Sequence, residues 1–305
     1  MPTKKKFYSS FLMMSFFPLV IMLCLNTAAT LPAVFIGINK ALENGDMIDL
    51  NNTAAILAFP EAQTALTVGY ICYAFAAIAI FFIWYKKTFL KHQIKIDNKT
   101  AFSVKRIILA VLLIIGTSSV ISLGLYALEA LAPSVMERYE ELMNSAGLGS
   151  NFLTTLLYAC ILGPIAEELM FRGVTQGYLR RSGLNGAAVV IIQAVLFGIA
   201  HLNLVQSTYA VLFGLSLGLL RHKYCNIRIT CLAHIVFNIF GTFVTEALLS
   251  LDLPDAAYIA IYAVLSVIGI AAAVLIFREP VKDIDLYKSA ATAPAPADAT
   301  VQAYT

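Results

Sequence analysis

Hydrophobic positions fall in eight long runs separated by short polar stretches. The runs cover approximately residues 11–38, 66–85, 107–128, 152–179, 186–203, 205–220, 227–250 and 257–277. Each is at or near the ~17–25 residues that a membrane-spanning helix needs. Strand-type alternation is absent within them, which argues against a transmembrane barrel. Lipid offers no partner for free N–H and C=O groups, so the runs are expected to be helices. The expected fold is all-α, a polytopic membrane protein with about eight transmembrane helices.

Composition sharpens this picture. Of 305 residues, 60% are hydrophobic and only 13% charged, and the mean hydropathy is +0.81. Soluble globular chains carry about 25% charged residues, so an ordinary soluble enzyme and a disordered chain are both excluded. The formal net charge of +3 is too small to suggest a nucleic-acid partner. The placement of charge says more. With the N-terminus inside, 19 of the 21 Lys and Arg fall on the inner side. Among them are Lys4 to Lys6, the 86–106 loop, Arg180, Arg181, Arg221, Lys223, Arg228 and Arg278. Only Lys40 and Arg138 are left outside, where the loops are acidic. This bias predicts eight spans with both termini cytoplasmic.

The chain divides into helices one to three with a basic loop (1–150), a motif-bearing core (151–250), a last helix (251–289) and a tail (290–305). The first run could be a signal peptide, but its apolar stretch is longer than a signal core, which favours a retained helix. The basic loop 86–106 suits anchoring on anionic lipid headgroups. The tail is rich in Ala, Pro and Thr and reads as disordered. None of the five cysteines forms a C-x-x-C pair, and four lie in apolar runs. They read as small core residues rather than a disulfide framework.

Ionisable groups inside apolar runs are the informative ones, because each costs about 2.5–3.5 kcal/mol at a helix centre on insertion scales. Three runs carry them. The fourth holds Gly163-Pro-Ile-Ala-Glu167-Glu168-Leu-Met-Phe-Arg172; the fifth ends Phe197-Gly-Ile-Ala-His201; the seventh holds His234-Ile-Val-Phe-Asn238. Gly163-Pro164 predicts a break, with Glu167 and Glu168 in the first turn of a new helix where free N–H groups favour carboxylates. Glu168 and Arg172 are four apart and can pair. Glu167 then has no sequence-local partner and suits a general base acting on water. Phe197 with His201, and His234 with Asn238, share faces by the same spacing. His92 and His222 fall in basic loops and read as solvated. Tyr and Phe read mostly as core or interfacial anchors. Zinc-protease, phosphate-loop and serine-hydrolase signatures are absent from the sequence.

Together, Glu167-Glu168-x-x-x-Arg172, Phe197-x-x-x-His201 and His234-x-x-x-Asn238 resemble the motif set of the CPBP family, over roughly residues 150–245. That family includes CAAX prenyl endopeptidases of the Ras-converting type and bacterial relatives tied to bacteriocin processing and immunity. The resemblance implies an intramembrane endopeptidase in which Glu167 activates water, assisted by Glu168 and His201. His234 and Asn238 match positions assigned to metal binding or to an oxyanion hole. Arg172 and Phe197 are expected in substrate-binding or structural roles. The resemblance leaves open a divalent metal such as zinc, with Glu167, His201 and His234 as its ligands, and equally no metal at all. The implied partners are a peptide or lipidated-protein substrate and membrane lipid, in the plasma membrane of a prokaryote. Two other readings compete: a proton- or ion-coupled transporter, and a non-catalytic immunity protein on the same fold. Against the transporter, no inverted repeat is visible and the polar groups sit in one half of the chain.

Overall fold

The computed structural model describes residues 7–47, 49, 52–90, 102–145 and 152–279. Ten helices and no strand occur among them. They are α1 (Ser9–Asn44), α2 (Thr53–Leu57), α3 (Pro60–Thr88), α4 (Val104–Leu131), α5 (Pro133–Ser145), α6 (Phe152–Arg181), α7 (Gly186–Ile199), α8 (Leu204–Tyr224), α9 (Ile227–Leu249) and α10 (Asp255–Arg278). Seven of the described helices, α1, α3, α4, α6, α8, α9 and α10, are long and apolar enough to cross a membrane. Lys4 to Lys6, His92, most of the basic 86–106 loop and the 290–305 tail lie outside the described residues.

The fifth run behaves differently. The expected span 186–203 is a helix of 14 residues, α7, that ends at Ile199. At ~1.5 Å per residue it is about 21 Å long, short of a ~30 Å hydrocarbon core. The chain turns after it because Leu202 adopts a left-handed φ of 54° and Asn203 caps α8, its Oδ1 accepting from the Gln206 N–H at 2.9 Å. α7 and α8 thus form a hairpin whose tip carries His201. Two further expectations are corrected. Gly163-Pro164 does not break the helix; α6 runs through it. His222 is not in a solvated loop but in the last turn of α8, half-buried, with Arg180 Nη2 3.4 Å from its Nδ1. The acidic outer loop after α4 is itself the amphipathic helix α5.

Three helix pairs pack most extensively: α1 with α3, α4 with α10, and α7 with α8. The α4–α10 crossing is close because both helices carry glycine there: a Cβ on Gly116 would fall 2.3 Å from the Gly269 Cα. Packing of this kind holds helices together where lipid removes the hydrophobic drive. Outward faces are apolar, as at Val264, Val267 and Phe277 of α10. The five cysteines are free, and Cys24 and Cys72 face outward rather than into the core.

The regions expected inside meet at one end of the bundle. The Tyr8 N–H donates to the Ser182 carbonyl (2.9 Å), and Arg181 Nη2 to Thr88 O (2.7 Å). Glu279 receives Lys105 and Arg106, and its carbonyl accepts from Lys223 Nζ at 3.0 Å.

Candidate active site

Helix α6 is built around two widened stretches. Thr155–Leu162 and Leu169–Thr175 are π-helical, and Gly163–Glu168 between them is α-helical. Single π-turns are uncommon and often mark functional sites. Proline explains the first. It has no N–H and its ring clashes with the carbonyl four residues back; a wider turn relieves the clash without ending the helix. Gly163 accordingly donates to Tyr158 O, five residues back. In that register the next acceptor, Ala159 O, falls to Pro164, which has nothing to donate. Asn238 of α9 supplies the missing bond, its Nδ2 lying 2.6 Å from Ala159 O. In the second π-helical stretch Arg221 Nε donates to Arg172 O at 3.1 Å. Each widened turn is therefore held by a polar side chain from a neighbouring helix.

The short α-helical step between them presents two different carboxylates. Glu168 is wholly buried, and Arg172 beside it is as well. Arg172 Nη1 donates to Glu168 Oε1 at 2.8 Å, and its Nη2 reaches Gly214 O at 3.4 Å. The same Oε1 accepts from His234 Nδ1 at 2.9 Å. His234 Nε2 then faces Glu167 Oε2 at 3.6 Å. His234 thus sits between the two carboxylates. Glu167 keeps 29% of its side-chain surface accessible, against 0% for Glu168.

Phe197 organises the opposite wall. It is 1% exposed. Its ring lies 4.5 Å from the Arg172 guanidinium carbon and packs edge-on against His201 and His234 at centroid distances of 4.9 and 5.9 Å. Arginine over an aromatic face is a favourable contact. His201 Nδ1 is 2.8 Å from Phe197 O. A carbonyl only accepts, so Nδ1 carries a proton, and in the Nδ1–H tautomer the lone pair is on Nε2.

A half-open cavity of about 120 Å³ connects these elements. Glu167, Phe171, Ala200 and His201 line it, together with Met22 and Asn26 of α1, Tyr73 of α3 and Tyr158 of α6. Of the residues expected from sequence, Glu167 and His201 face the cavity. His234 stands behind Glu167, and Glu168, Arg172 and Phe197 support from within. Asn238 directs its Nδ2 to Ala159 instead. Asn26 and Tyr73 were not expected. Asn26 had a faint signal, as the one amide side chain in the apolar run 11–38; Tyr73 had none, since a tyrosine in such a run reads as an anchor.

The donors expected to bind zinc are not gathered as a metal shell. Among the described residues, no three His, Cys, Asp or Glu side chains stand close enough to hold a metal ion. The Nδ1 contacts of His201 with Phe197 O and of His234 with Glu168 do suit ligands, since each fixes its ring; the spacing of the set does not.

Residues 149–240 match the family model for Rce1-like proteins, the type II CAAX prenyl endopeptidases. The match covers about a third of the chain. It spans α6, α7, α8 and most of α9, and it contains all three motifs that resemble the CPBP family. A search of curated proteins and a search of solved structures gave no match. The match supports an intramembrane endopeptidase in general, and with the seven long apolar helices among the described residues it points to an integral membrane protein. Its boundaries leave α1 and α3 outside, although these helices supply Met22, Asn26 and Tyr73 to the cavity wall.

Proposed function

We propose that the protein is an intramembrane endopeptidase in which Glu167 activates water against a peptide bond of a membrane-associated substrate. The observation that carries this is the unequal treatment of two adjacent carboxylates. Glu168 is buried and committed to Arg172 and His234, whereas Glu167 opens on a cavity large enough for several waters. A water between Glu167 and the free Nε2 of His201 has two acceptors for its protons. As the water oxygen bonds the carbonyl carbon, one proton passes to Glu167. Collapse of the tetrahedral intermediate breaks the C–N bond, and the same proton passes to the leaving nitrogen. His234 Nε2 faces Glu167 and stabilises its protonated form by accepting from it. Glu168 and Arg172 act as positioning residues by fixing His234.

The substrate is proposed to be a CAAX-type lipidated protein or a leader peptide, presented from the cytoplasmic side of a prokaryotic plasma membrane. The Lys and Arg bias supports that sidedness, and the regions concerned share one end of the bundle. The transporter reading gains no comparable support, because the polar groups cluster on a closed carboxylate–histidine–arginine unit beside one small cavity.

The test is hydrolysis by the purified protein in liposomes, using farnesylated CAAX peptides and leader peptides as substrates. Wild type is expected to cleave one class. Glu167→Gln is expected to lose about 10²–10⁴-fold in kcat, the usual worth of proton transfer, with an unchanged thermal midpoint. Equal turnover by the two proteins would reject Glu167 as the base.

A further inference from the structure

Helix α7 is apolar all round: Gln193 is the one polar side chain between Gly186 and Ile199. In lipid such a helix gains little from turning one face inward rather than another, because lipid tails are as apolar as its neighbours. Its rotation about its own axis nevertheless matters. Gln193 and Phe197 are four apart and share the buried face, while Ile191, Val195 and Ile199 are exposed. Phe197 lays its ring on Arg172, and His201 is tied through Nδ1 to Phe197 O. Whatever fixes Phe197 therefore fixes where His201 meets the cavity.

Gln193 is wholly buried and bonds across to α8. Its Nε2 donates to Gly214 O at 2.8 Å and to Val190 O of its own helix at 3.0 Å. Gly214 O is the carbonyl that Arg172 Nη2 also reaches, at 3.4 Å. One backbone oxygen of α8 thus takes a donor from α6 and another from α7. Glycines leave room for this: a Cβ on Gly218 would run into Gln193 Nε2, and one on Gly214 would fall 3.0 Å from the Ala194 Cα. Stability alone does not account for the residue. Gln193 Oε1 is buried with no hydrogen-bond partner among the described residues. An unpaired buried acceptor is costly, and an apolar side chain of similar shape would avoid that cost. A single buried polar group can instead fix the register of packed helices at some expense in stability.

We propose that Gln193 is a positioning residue: it locks the rotation of α7 against α8 so that Phe197 packs on Arg172 and His201 faces the cavity beside Glu167. Its consequence for turnover rests on Glu167 acting as the base. A misplacement of about 1 Å can cost about 10²-fold in rate, whereas one interhelical hydrogen bond in a membrane contributes little to stability. Loss of the Gln193 bond therefore shows in turnover rather than in melting.

The experiment compares wild type, Gln193→Leu, Gly218→Ala and the double variant by kcat, KM and thermal midpoint. Gln193→Leu removes the amide and keeps most of the bulk. Gly218→Ala leaves Gln193 in the chain but pushes its amide off Gly214 O. Each is expected to lower kcat about 10–10²-fold, with KM within about twofold and the midpoint nearly unchanged. The double variant is expected to fall no further than the worse single one, because both remove the same bond. A kcat for Gln193→Leu within about twofold of wild type, a midpoint that falls in step with kcat, or additive losses in the double variant overturns the proposal. A second measurement needs no substrate. With a spin label at Ile191→Cys, in a background lacking the native cysteines, relaxation by lipid-soluble oxygen is expected to be strong and to weaken when Gln193→Leu is added, as that position turns from lipid. Equal relaxation with and without Gln193 overturns the lock. If wild type cleaves no peptide, the endopeptidase reading falls and the role in turnover with it, and the spin label alone decides whether Gln193 fixes the helix.

Discussion

Asn238 donates to the Ala159 carbonyl at 2.6 Å, on the acceptor that Pro164 leaves without a backbone partner in the widened turn of α6. This bond ties α9 to the helix that carries both glutamates. It explains how a proline can sit four residues before Glu168 without breaking α6, and it gives Asn238 a task apart from any contact with substrate.

Asn238→Ala is therefore expected to lower stability as well as activity. Leaving the Ala159 acceptor unpaired costs about 1–3 kcal/mol, which a thermal melt in detergent will register. A large loss of kcat with an unchanged midpoint would instead place Asn238 directly on the reacting carbonyl.

Arg172 and Glu168 form a fully buried pair shared with His234. Removing one partner strands a charge in an apolar setting, so Arg172→Ala is expected to lose roughly 3–5 kcal/mol. Arg172→Lys should recover only part of this. A lysine ammonium cannot bond Glu168 and Gly214 O through a fixed fork and lacks the planar face laid on Phe197. Full recovery by lysine, read from melting curves and kcat, would show that point charge alone suffices.

Chelation tests the metal question. Because Glu167, His201 and His234 are not drawn together as a ligand shell, hydrolysis by purified protein is expected to persist after prolonged treatment with 1,10-phenanthroline. Loss of activity that zinc restores would reassign those three side chains as ligands.

Sidedness is open to cysteine labelling in a background lacking the five native cysteines. Arg228 and Glu141 are both exposed, on α9 and α5 respectively. A cysteine at Glu141 is expected to react with an impermeant maleimide in intact cells, and one at Arg228 only after the membrane is opened. The reverse pattern would invert the proposed direction of substrate entry.

The sequence by itself determined the helical, membrane-embedded character of the chain. Apolar runs of spanning length have no other way to satisfy their backbone in lipid. It also singled out Glu167, Glu168, His201 and His234, because charged and imidazole groups are costly in such runs and stand out against them. The short reach of α7 was less legible: its run is apolar throughout, and only the turn at Leu202 and the cap at Asn203 stop it. The behaviour of Gly163-Pro164 was hidden too. Proline signals a lost donor, but whether the helix ends or widens depends on Asn238, which is supplied by another helix 74 residues later. Tertiary structure alone decided which uncharged groups share the cavity with Glu167. Asn26 and Tyr73 carry no charge to betray them, and they reach the cavity because α1 and α3 pack against α6, a relation set by packing rather than by any local pattern.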